Sequence, residues 1–459
     1  MRCYWGICRE PIKIQTVNRE PSNLNSSNLT DRLQRLYQLH AFGIKFGLEA
    51  EAALLERLGN PERELKKILH IAGTNGKGSV CVLLESTLRA AGFKTGLYTS
   101  PHLVRVNERI KVNGQDIPDE ELATLIELAD EHARNYAESA GGREITFFEF
   151  LTALAFEYFR RQKIDALVLE TGMGGRLDAT NLITPQVSVI TGISLEHTKY
   201  LGRTIEEIAA EKGGIIKTGV PVVVGALPEE ALQTIEKIAR AKNARVIRAD
   251  QTVTVRRQKQ TMEGQKISIE SSADSYGHVL LPLLGAHQLG NAAVTIAALE
   301  EFCRVNMMEL PAQAVKSGFA SVSWPGRLQV ISRSPVTIID GAHNPEAAEV
   351  LNAALKELSG GRPVYLILGM CSDKDAAGFV RNLTVPISHC WVVGLANERG
   401  LPPEELAQHV QNKGWSCSLA TLPQALEEAR RQALENGGMV CAAGSFFLAG
   451  EILMLESSR

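Results

Sequence analysis

HIAGTNGKGSV, residues 70–80, joins an apolar run (KKILHIAG, 66–73) to a second, longer one (GSVCVLLESTLRAAG, 78–92). Strand, glycine-rich turn and helix in that order are the right context for a phosphate cradle. The glycines let backbone N–H groups approach phosphate oxygens, the helix N-terminus adds positive potential, and Lys77 supplies a mobile cation. The usual pattern puts Ser or Thr directly after Gly-Lys, where its hydroxyl helps hold Mg²⁺. Here Gly78 stands between Lys77 and Ser79. Metal-holding groups are therefore expected elsewhere, at the carboxyl ends of neighbouring strands, where open α/β sheets put their ligands. A plain glycine-rich turn is the competing reading, but a turn needs no lysine.

Outward from this loop, short apolar runs alternate with amphipathic stretches from about Leu29, the pattern of a mostly parallel sheet covered on both faces. KTGLYTS (94–100), DALVLE (165–170), VSVITGIS (187–194) and VPVVVG (220–225) read as strands, the last three as continuous buried runs. The stretches 118–137, 146–162, 204–217 and 291–302 read as helices. Residues 252–272 alternate apolar and polar side chains and read as an exposed antiparallel edge extending the same domain. Trp324-Pro325-Gly326 looks like a boundary. Beyond it a second alternating series begins at VTIIDGA (336–342) and continues to MVCAAGS (439–445). The expected division is an extension over 1–28, flexible because it is polar and rich in turn formers, then an ATPase domain over 29–309. A linker over 310–326 and a smaller Rossmann-like α/β domain over 327–459 complete it.

Composition excludes several classes. At 459 residues the chain exceeds what one core usually organises. A hydrophobic fraction of 44% and a charged fraction of 22% are those of an ordinary globular protein. A formal net charge of −3 advertises no face for nucleic acid, and no apolar run approaches the roughly 20 residues needed to span a bilayer. The amino-terminal stretch lacks the apolar region of a signal peptide. Eight cysteines are scattered without a C-x-x-C pair, so a reducing, cytoplasmic setting is expected.

Three strand tips carry donors: Ser100 ends LYTS, Glu170 ends ALVLE, and His197 follows VITGISLE. Oxygen and nitrogen donors from three tips can converge on Mg²⁺ ions that bridge ATP phosphates. A solvated loop acid at Glu170, or a capping histidine at 197, is the bland alternative; it loses ground at Glu170 because this acid terminates a buried run.

These pieces in this order resemble the folylpolyglutamate synthase family, including the bifunctional dihydrofolate synthases, within the Mur-ligase-like amide ligases. The landmarks are HIAGTNGKGSV, TSPHLVRVNERI, TFFEF, LETGMGGRLDATN, SLEHTKYLGRTIEEIAAEKGGIIK, WPGRLQ and DGAHNPEAA, spread over nearly all of the chain beyond Leu29. The resemblance implies a P-loop-containing, Mur-ligase-like central domain followed by the Rossmann-like one. It implies that Thr74, Asn75, Gly76, Lys77, Gly78 and Ser79, with Asn291, Arg327, Asp340 and His343, bind ATP. It further implies that Ser100 and Glu170 hold one Mg²⁺, that His197 joins a second, and that Lys212 in EKGGI is carbamylated by CO₂ and serves as an anionic metal ligand. Lys77, Lys212, His197 and Arg327 would be the catalytic set. Thr146, Phe147, Phe148 and Glu149, with Leu177, Asp178 and Ala179, would face the pterin. Two departures stand out: Glu196 replaces the more usual Asp before the histidine, and Gly213 replaces the common Ala.

The implied activity is ATP-dependent joining of L-glutamate to a dihydropteroate or folate carboxylate through an acyl phosphate, by an enzyme expected to be a monomer with small-molecule partners, no nucleic acid and no membrane. Two alternatives compete. A P-loop switch would leave Ser100, Glu170, His197 and Lys212 without a purpose. A cell-wall Mur ligase is disfavoured by Gly78 and by TSPHL. Asp373, Lys374 and Asp375 in GMCSDKD resemble a family landmark but receive no role.

Overall fold

The computed structural model describes residues 26–458 apart from 40–42, 44, 46 and 140. The central unit opens with helices α1 (Ser26–Gln38) and α2 (Glu49–Arg57). Strand β1 (Ile68–Ala72) then feeds α3 (Lys77–Ala90) and β2 (Thr95–Tyr98). A short hairpin, β3 (Ile110–Val112) and β4 (Gln115–Asp116), leads to α4 (Asp119–Ala137) and α5 (Phe147–Gln162). The chain continues through β5 (Ala166–Glu170), β6 (Val187–Ile190), α6 (Thr198–Leu201), α7 (Ile205–Gly213), β7 (Val222–Val224), α8 (Glu229–Ala241), β8 (Val246–Arg248) and α9 (Ala249–Thr252). Three longer strands follow, β9 (Val253–Thr261), β10 (Gly264–Ser271) and β11 (Ser275–Leu281), then helices α10 (His287–Val305) and α11 (Ala312–Ala320).

Eight strands form one sheet in the order β4-β3-β2-β5-β1-β6-β7-β8, parallel except at the β3 and β4 edge. Alternation along β5 explains the two layers. Ala166 and Val168 face the core containing α3 and α10, whereas Leu167 and Leu169 face the core containing α2, α4 and α5. Strand β1 lies centrally between β5 and β6, so its carboxyl end opens into a crevice flanked by two other strand tips. That position is where a doubly wound sheet binds ligands.

The alternating segment expected as an edge of this sheet instead makes a separate antiparallel sheet, β11-β10-β9. Its inward residues Ile267, Ile269, Val279 and Leu281 share a core with α3 and α10, so the pattern reports packing on helices rather than a place at the sheet margin. The stretch 310–326, expected as a linker, contains α11, whose Val315 and Phe319 are fully buried in that same core. The extension expected over 1–28 lies outside the described residues up to residue 25, and α1 already begins at Ser26.

A second α/β unit follows. It contains β12 (Gln329–Arg333), β13 (Val336–Ile339), α12 (Pro345–Ser359), β14 (Val364–Leu368), α13 (Ala376–Asn382), β15 (Ile387–Val392), α14 (Pro403–Asn412), β16 (Cys417–Leu419), α15 (Leu422–Glu435), β17 (Met439–Ala443) and α16 (Phe446–Ser457). The sheet order is β12-β13-β17-β14-β15-β16, antiparallel only between β12 and β13. Helices α12, α13 and α14 cover one face, α15 and α16 the other. Among the described residues, no helix is long and apolar enough to cross a membrane.

Candidate active site

The loop between β1 and α3 is held by its neighbours as much as by its own sequence. The Thr74 N–H donates to the Gly192 carbonyl at 2.7 Å, and the Thr191 hydroxyl donates to the Asn75 carbonyl at 2.7 Å. Gly76 sits at φ +88, where an added Cβ would lie 2.5 Å from Asn291 Oδ1; neither the backbone nor the space accepts a side chain. The Asn291 amide donates to Gln288 at 2.8 Å, and Gln288 donates to the Ser79 hydroxyl at 3.3 Å. Ser79 is thus tied into α10. Gly78 has a different constraint: a Cβ there would meet Trp324 Cζ2 at 2.5 Å. The Lys77 ammonium folds back onto the loop, donating to the Gly73 and Thr74 carbonyls at 2.9 and 3.1 Å.

Strands β2 and β5 bring Ser100 and Glu170 together, the Ser100 N–H donating to Glu170 Oε2 at 3.0 Å. Burial pushes the Glu170 carboxyl up from its ordinary value, opposed by the charges of Lys77, Arg327 and Arg109 and by the Ser100 N–H. Beyond β6, Glu196 and His197 enter the same crevice, His197 at φ +51 just before α6. Its imidazole lies 3.9 Å from Glu196, and burial lowers its pKa to about 4, so the ring is neutral and has a lone pair to offer. Burial opposes ionisation of Glu196, yet a hydrogen bond from His343 and the charges of Lys77 and His197 hold it well below the carboxylate range. Lys212, in the last turn of α7, is buried to 3% exposure. Burial and the charge of Lys77 bring its pKa down to about 7.

The opposing wall comes from the second unit. Arg327 lies over the Phe446 ring at 4.4 Å, and His343 packs on the same ring at 5.4 Å. Asp340 accepts from the Leu328 and Ala342 N–H groups, each at 2.8 Å. Further contacts cross between the units beside the loop. Asn344 donates to Glu196 at 3.2 Å, while Glu346 accepts from both Asn75 and Ser194. Lys374 is close enough for its charge to bear on His197. Asp375 caps α13 through Gly378, and Asp373 pairs with Arg399 at 3.0 Å.

The residues expected to face a pterin lie on the far side of β5. Thr146 caps α5 and Glu149 completes the capping box. The Glu149 carboxylate accepts from the Thr146 N–H at 2.8 Å and from Arg143 at 2.9 Å, so it is committed to the helix start. Phe147 is buried under the Arg109 guanidinium, while Phe148 is half-buried near Tyr98. Asp178 accepts from the Met173 N–H at 2.9 Å and from the Thr180 N–H and hydroxyl at 3.1 and 2.5 Å. Leu177 is half-buried and Ala179 buried beside it. Gln288 and Phe446 carry no local motif, and Trp324 and Glu346 lie within WPGRLQ and DGAHNPEAA without a role of their own there. Their parts in the site arise from contacts between distant segments.

A phosphate loop at the centre of a doubly wound sheet, faced across a cleft by a second α/β unit, defines a Mur-type ligase. Residues 71–299 match the family described as Mur ligase middle domain, and 326–446 match Mur ligase, glutamate ligase domain. The dihydrofolate synthase/folylpolyglutamate synthase of Bacillus subtilis (strain 168) is 35% identical over 378 residues, 82% of this chain and 87% of that protein. A crystal structure of Mycobacterium tuberculosis folylpolyglutamate synthase complexed with ADP and AMPPCP superposes with a TM-score of 0.87 at 31% identity, covering 94% of this chain and 99% of that one. E. coli FolC in complex with DHPP and ADP gives 0.83 at 34% identity over 95% and 100% of the two chains. The chain belongs to the folylpolyglutamate synthase/dihydrofolate synthase family.

Proposed function

We propose that the chain joins the amine of L-glutamate to the carboxylate of dihydropteroate and of reduced folates at a single site, using ATP. The observation that carries this reading is the crevice itself. Lys77 at the start of α3, Glu170 at the tip of β5 and His197 before α6 lie towards Arg327, Asp340 and His343 of the second unit, in a cleft lined by one chain. Both walls come from the same polypeptide, which suits a monomer. The thiols of the six described cysteines are free, in keeping with a reducing, cytoplasmic setting.

A carboxylate is a poor acyl electrophile, because its leaving group would be oxide. Phosphorylation by ATP converts it to an acyl phosphate, from which phosphate leaves readily when the amine attacks. Thr74 through Ser79 would cradle the nucleotide phosphates, with Asn291, Asp340 and His343 placing the rest. Lys77 and Arg327 would neutralise charge on the transferring group, which is most of what phosphoryl transfer requires. Closing the cleft would keep water from the acyl phosphate.

Among the described residues, no three His, Cys, Asp or Glu side chains stand close enough to hold a metal by themselves. Ser100, Glu170 and His197 nevertheless supply a hydroxyl, a buried carboxyl and a neutral imidazole, a set that fits Mg²⁺ when nucleotide phosphates share the coordination. Bound there in two sites, Mg²⁺ would neutralise phosphate charge. Lys212 fits the set in modified form: a buried amine with a pKa of about 7 is partly uncharged at neutral pH, as reaction with CO₂ demands. The carbamate would turn a cation beside Lys77 into an anionic ligand.

The deciding assay supplies ATP, Mg²⁺ and L-glutamate with dihydropteroate or a tetrahydrofolate, and sizes the products by mass. One glutamate added to each substrate is the expected result, and no product with either sinks the proposal. Phosphate release without glutamate would favour a nucleotide switch, and turnover of UDP-sugar peptides a cell-wall ligase. Lys212→Ala should lose at least a hundredfold in kcat, partly restored by added short carboxylates; an active, carboxylate-indifferent variant would rule out the carbamate.

A further inference from the structure

The segment after β6, residues 191–197, is bonded on one side to the phosphate loop and on the other to the second unit. Towards the loop, Thr191 donates to the Asn75 carbonyl, the Ser194 N–H donates to the Thr74 hydroxyl at 3.1 Å, and the Gly192 carbonyl accepts from Thr74. Towards the second unit, the Ser194 hydroxyl donates to Glu346, and Glu196 accepts from Asn344. Glu196 makes most of this second set through one oxygen. Its Oε1 lies 3.2 Å from Asn344 Nδ2 and 3.7 Å from His343 Nε2, both of the second unit, and 3.9 Å from its own neighbour His197.

The partners across the cleft are held in advance. Asn344 Oδ1 accepts from the Ala347 N–H at 2.8 Å and so caps α12, which turns its amide N–H towards Glu196. The His343 ring is fixed between the Gly341 carbonyl, to which Nδ1 donates at 2.8 Å, and the face of Phe446. Little side-chain freedom is left to lose at either residue when the contact forms. The Glu196 side chain, only 14% exposed, is confined as well. Reach then decides whether the two walls touch. The aspartate more usual before this histidine is shorter by one carbon–carbon bond, about 1.5 Å. Withdrawn by that distance, the carboxylate leaves hydrogen-bonding range of Asn344.

We propose that Glu196 is a positioning residue: its extra methylene ties the second unit to the segment beside the phosphate loop and holds the cleft shut over the acyl phosphate. The proposal rests on the ligase reading of the function and adds to it the side chain that keeps water out. In an opened cleft, water takes the place of the amine; the acyl–phosphate link breaks, the carboxylate is regenerated, and phosphate and a proton leave with no amide formed.

The test uses the full chain with ATP, Mg²⁺, L-glutamate and dihydropteroate, and counts phosphate released against amide formed. Wild type, Glu196→Asp, Asn344→Ser and the double variant are compared. Glu196→Asp keeps the charge and loses only the reach. Asn344→Ser keeps an oxygen to cap α12 and cuts the same contact from the opposite wall, away from His197. Wild type should release close to one phosphate per amide, with a small excess. Each single variant should raise that excess about tenfold, the scale of a hydrogen bond to a charged group, and the double variant should raise it no further, because both changes remove one contact. A variant weakened only in its folding melts lower and turns over more slowly but keeps the wild-type count. An unchanged count in either single variant that melts like wild type overturns the assignment, as do losses that multiply in the double variant. If one single variant fails to fold, the count in the other decides. Wild type that forms no amide sinks the ligase reading as a whole, whereas an active wild type whose variants stay coupled sinks only the role of Glu196.

Discussion

Gly78 is small because of Trp324. The glycine after Gly-Lys displaces the usual hydroxyl from the phosphate loop, and the space it leaves is filled by an indole from the segment that connects the two units. Gly78→Ala should cost about 1–3 kcal/mol through overpacking and weaken nucleotide binding about tenfold or more, since each 1.4 kcal/mol is a factor of ten. Thermal melting and nucleotide titration would measure both, and Gly78→Ala combined with Trp324→Leu should recover part of the loss. At His70 the constraint is a proton. The Thr180 hydroxyl donates to Asp178, so the 2.8 Å contact with His70 Nε2 requires the ring to donate. Burial, with Lys217 adding to it, holds the imidazole neutral by lowering its pKa from 6.5 to about 3. Between those values the unfolded chain binds the proton and the folded one does not, so stability falls as pH drops from about 6.5 toward 3. Urea unfolding across that range should show a steeper acid loss for wild type than for His70→Gln.

Single elements serve the site through their ends. Helix α5 begins at a reciprocal cap, and Thr146→Ala removes its hydroxyl from both the Glu149 N–H and the Glu149 carboxylate. The expected loss is about 1 kcal/mol, restored by Thr146→Ser, as urea melts would report. Such ends are also what a sequence displays most openly. HIAGTNGKGSV is legible because a phosphate cradle needs its residue types in one local order, and LYTS and ALVLE are legible because each polar tip ends an apolar run. The three-stranded sheet was recognisable as antiparallel by its alternation, but alternation does not say which surface receives the apolar face, and here helices α3 and α10 do. Helix α16 is apolar all round over most of its length, so it has no period to read, and α11 was hidden inside a short stretch resembling a connection. The roles of Phe446 and of Glu346, which lies inside DGAHNPEAA, are invisible for another reason. The partners that give them meaning, Arg327 and Asn75, stand more than 100 residues away, and no local pattern marks such a meeting.

At the scale of the whole molecule, the two units meet over the phosphate loop through charge. Glu346, in the first turn of α12, accepts from Asn75 and Ser194 on the facing side, where a nucleotide's phosphates would compete for the same amide. Glu346→Gln removes a negative charge from that spot and leaves a polar group of the same size. It should lower KM for ATP severalfold while changing stability by less than about 1 kcal/mol, the usual worth of an exposed contact. Steady-state kinetics beside a melting curve would separate the two effects, and an unchanged or raised KM would show that the contact serves closure instead. Away from the cleft, Arg257 pairs with Glu357 and Arg333 with Glu263, each at 2.7 Å, while Trp324, on the segment that leads into the second unit, lies directly against Gly78 of the loop. That placement has an optical consequence. The indole touches the start of α3 and its Nε1 has no hydrogen-bond partner, so its emission should report nucleotide arrival without any attached dye. With Trp5, Trp391 and Trp415 replaced by phenylalanine, the remaining fluorescence would follow occupancy of the loop on the stopped-flow timescale, giving the chain a built-in clock for the first step of its cycle.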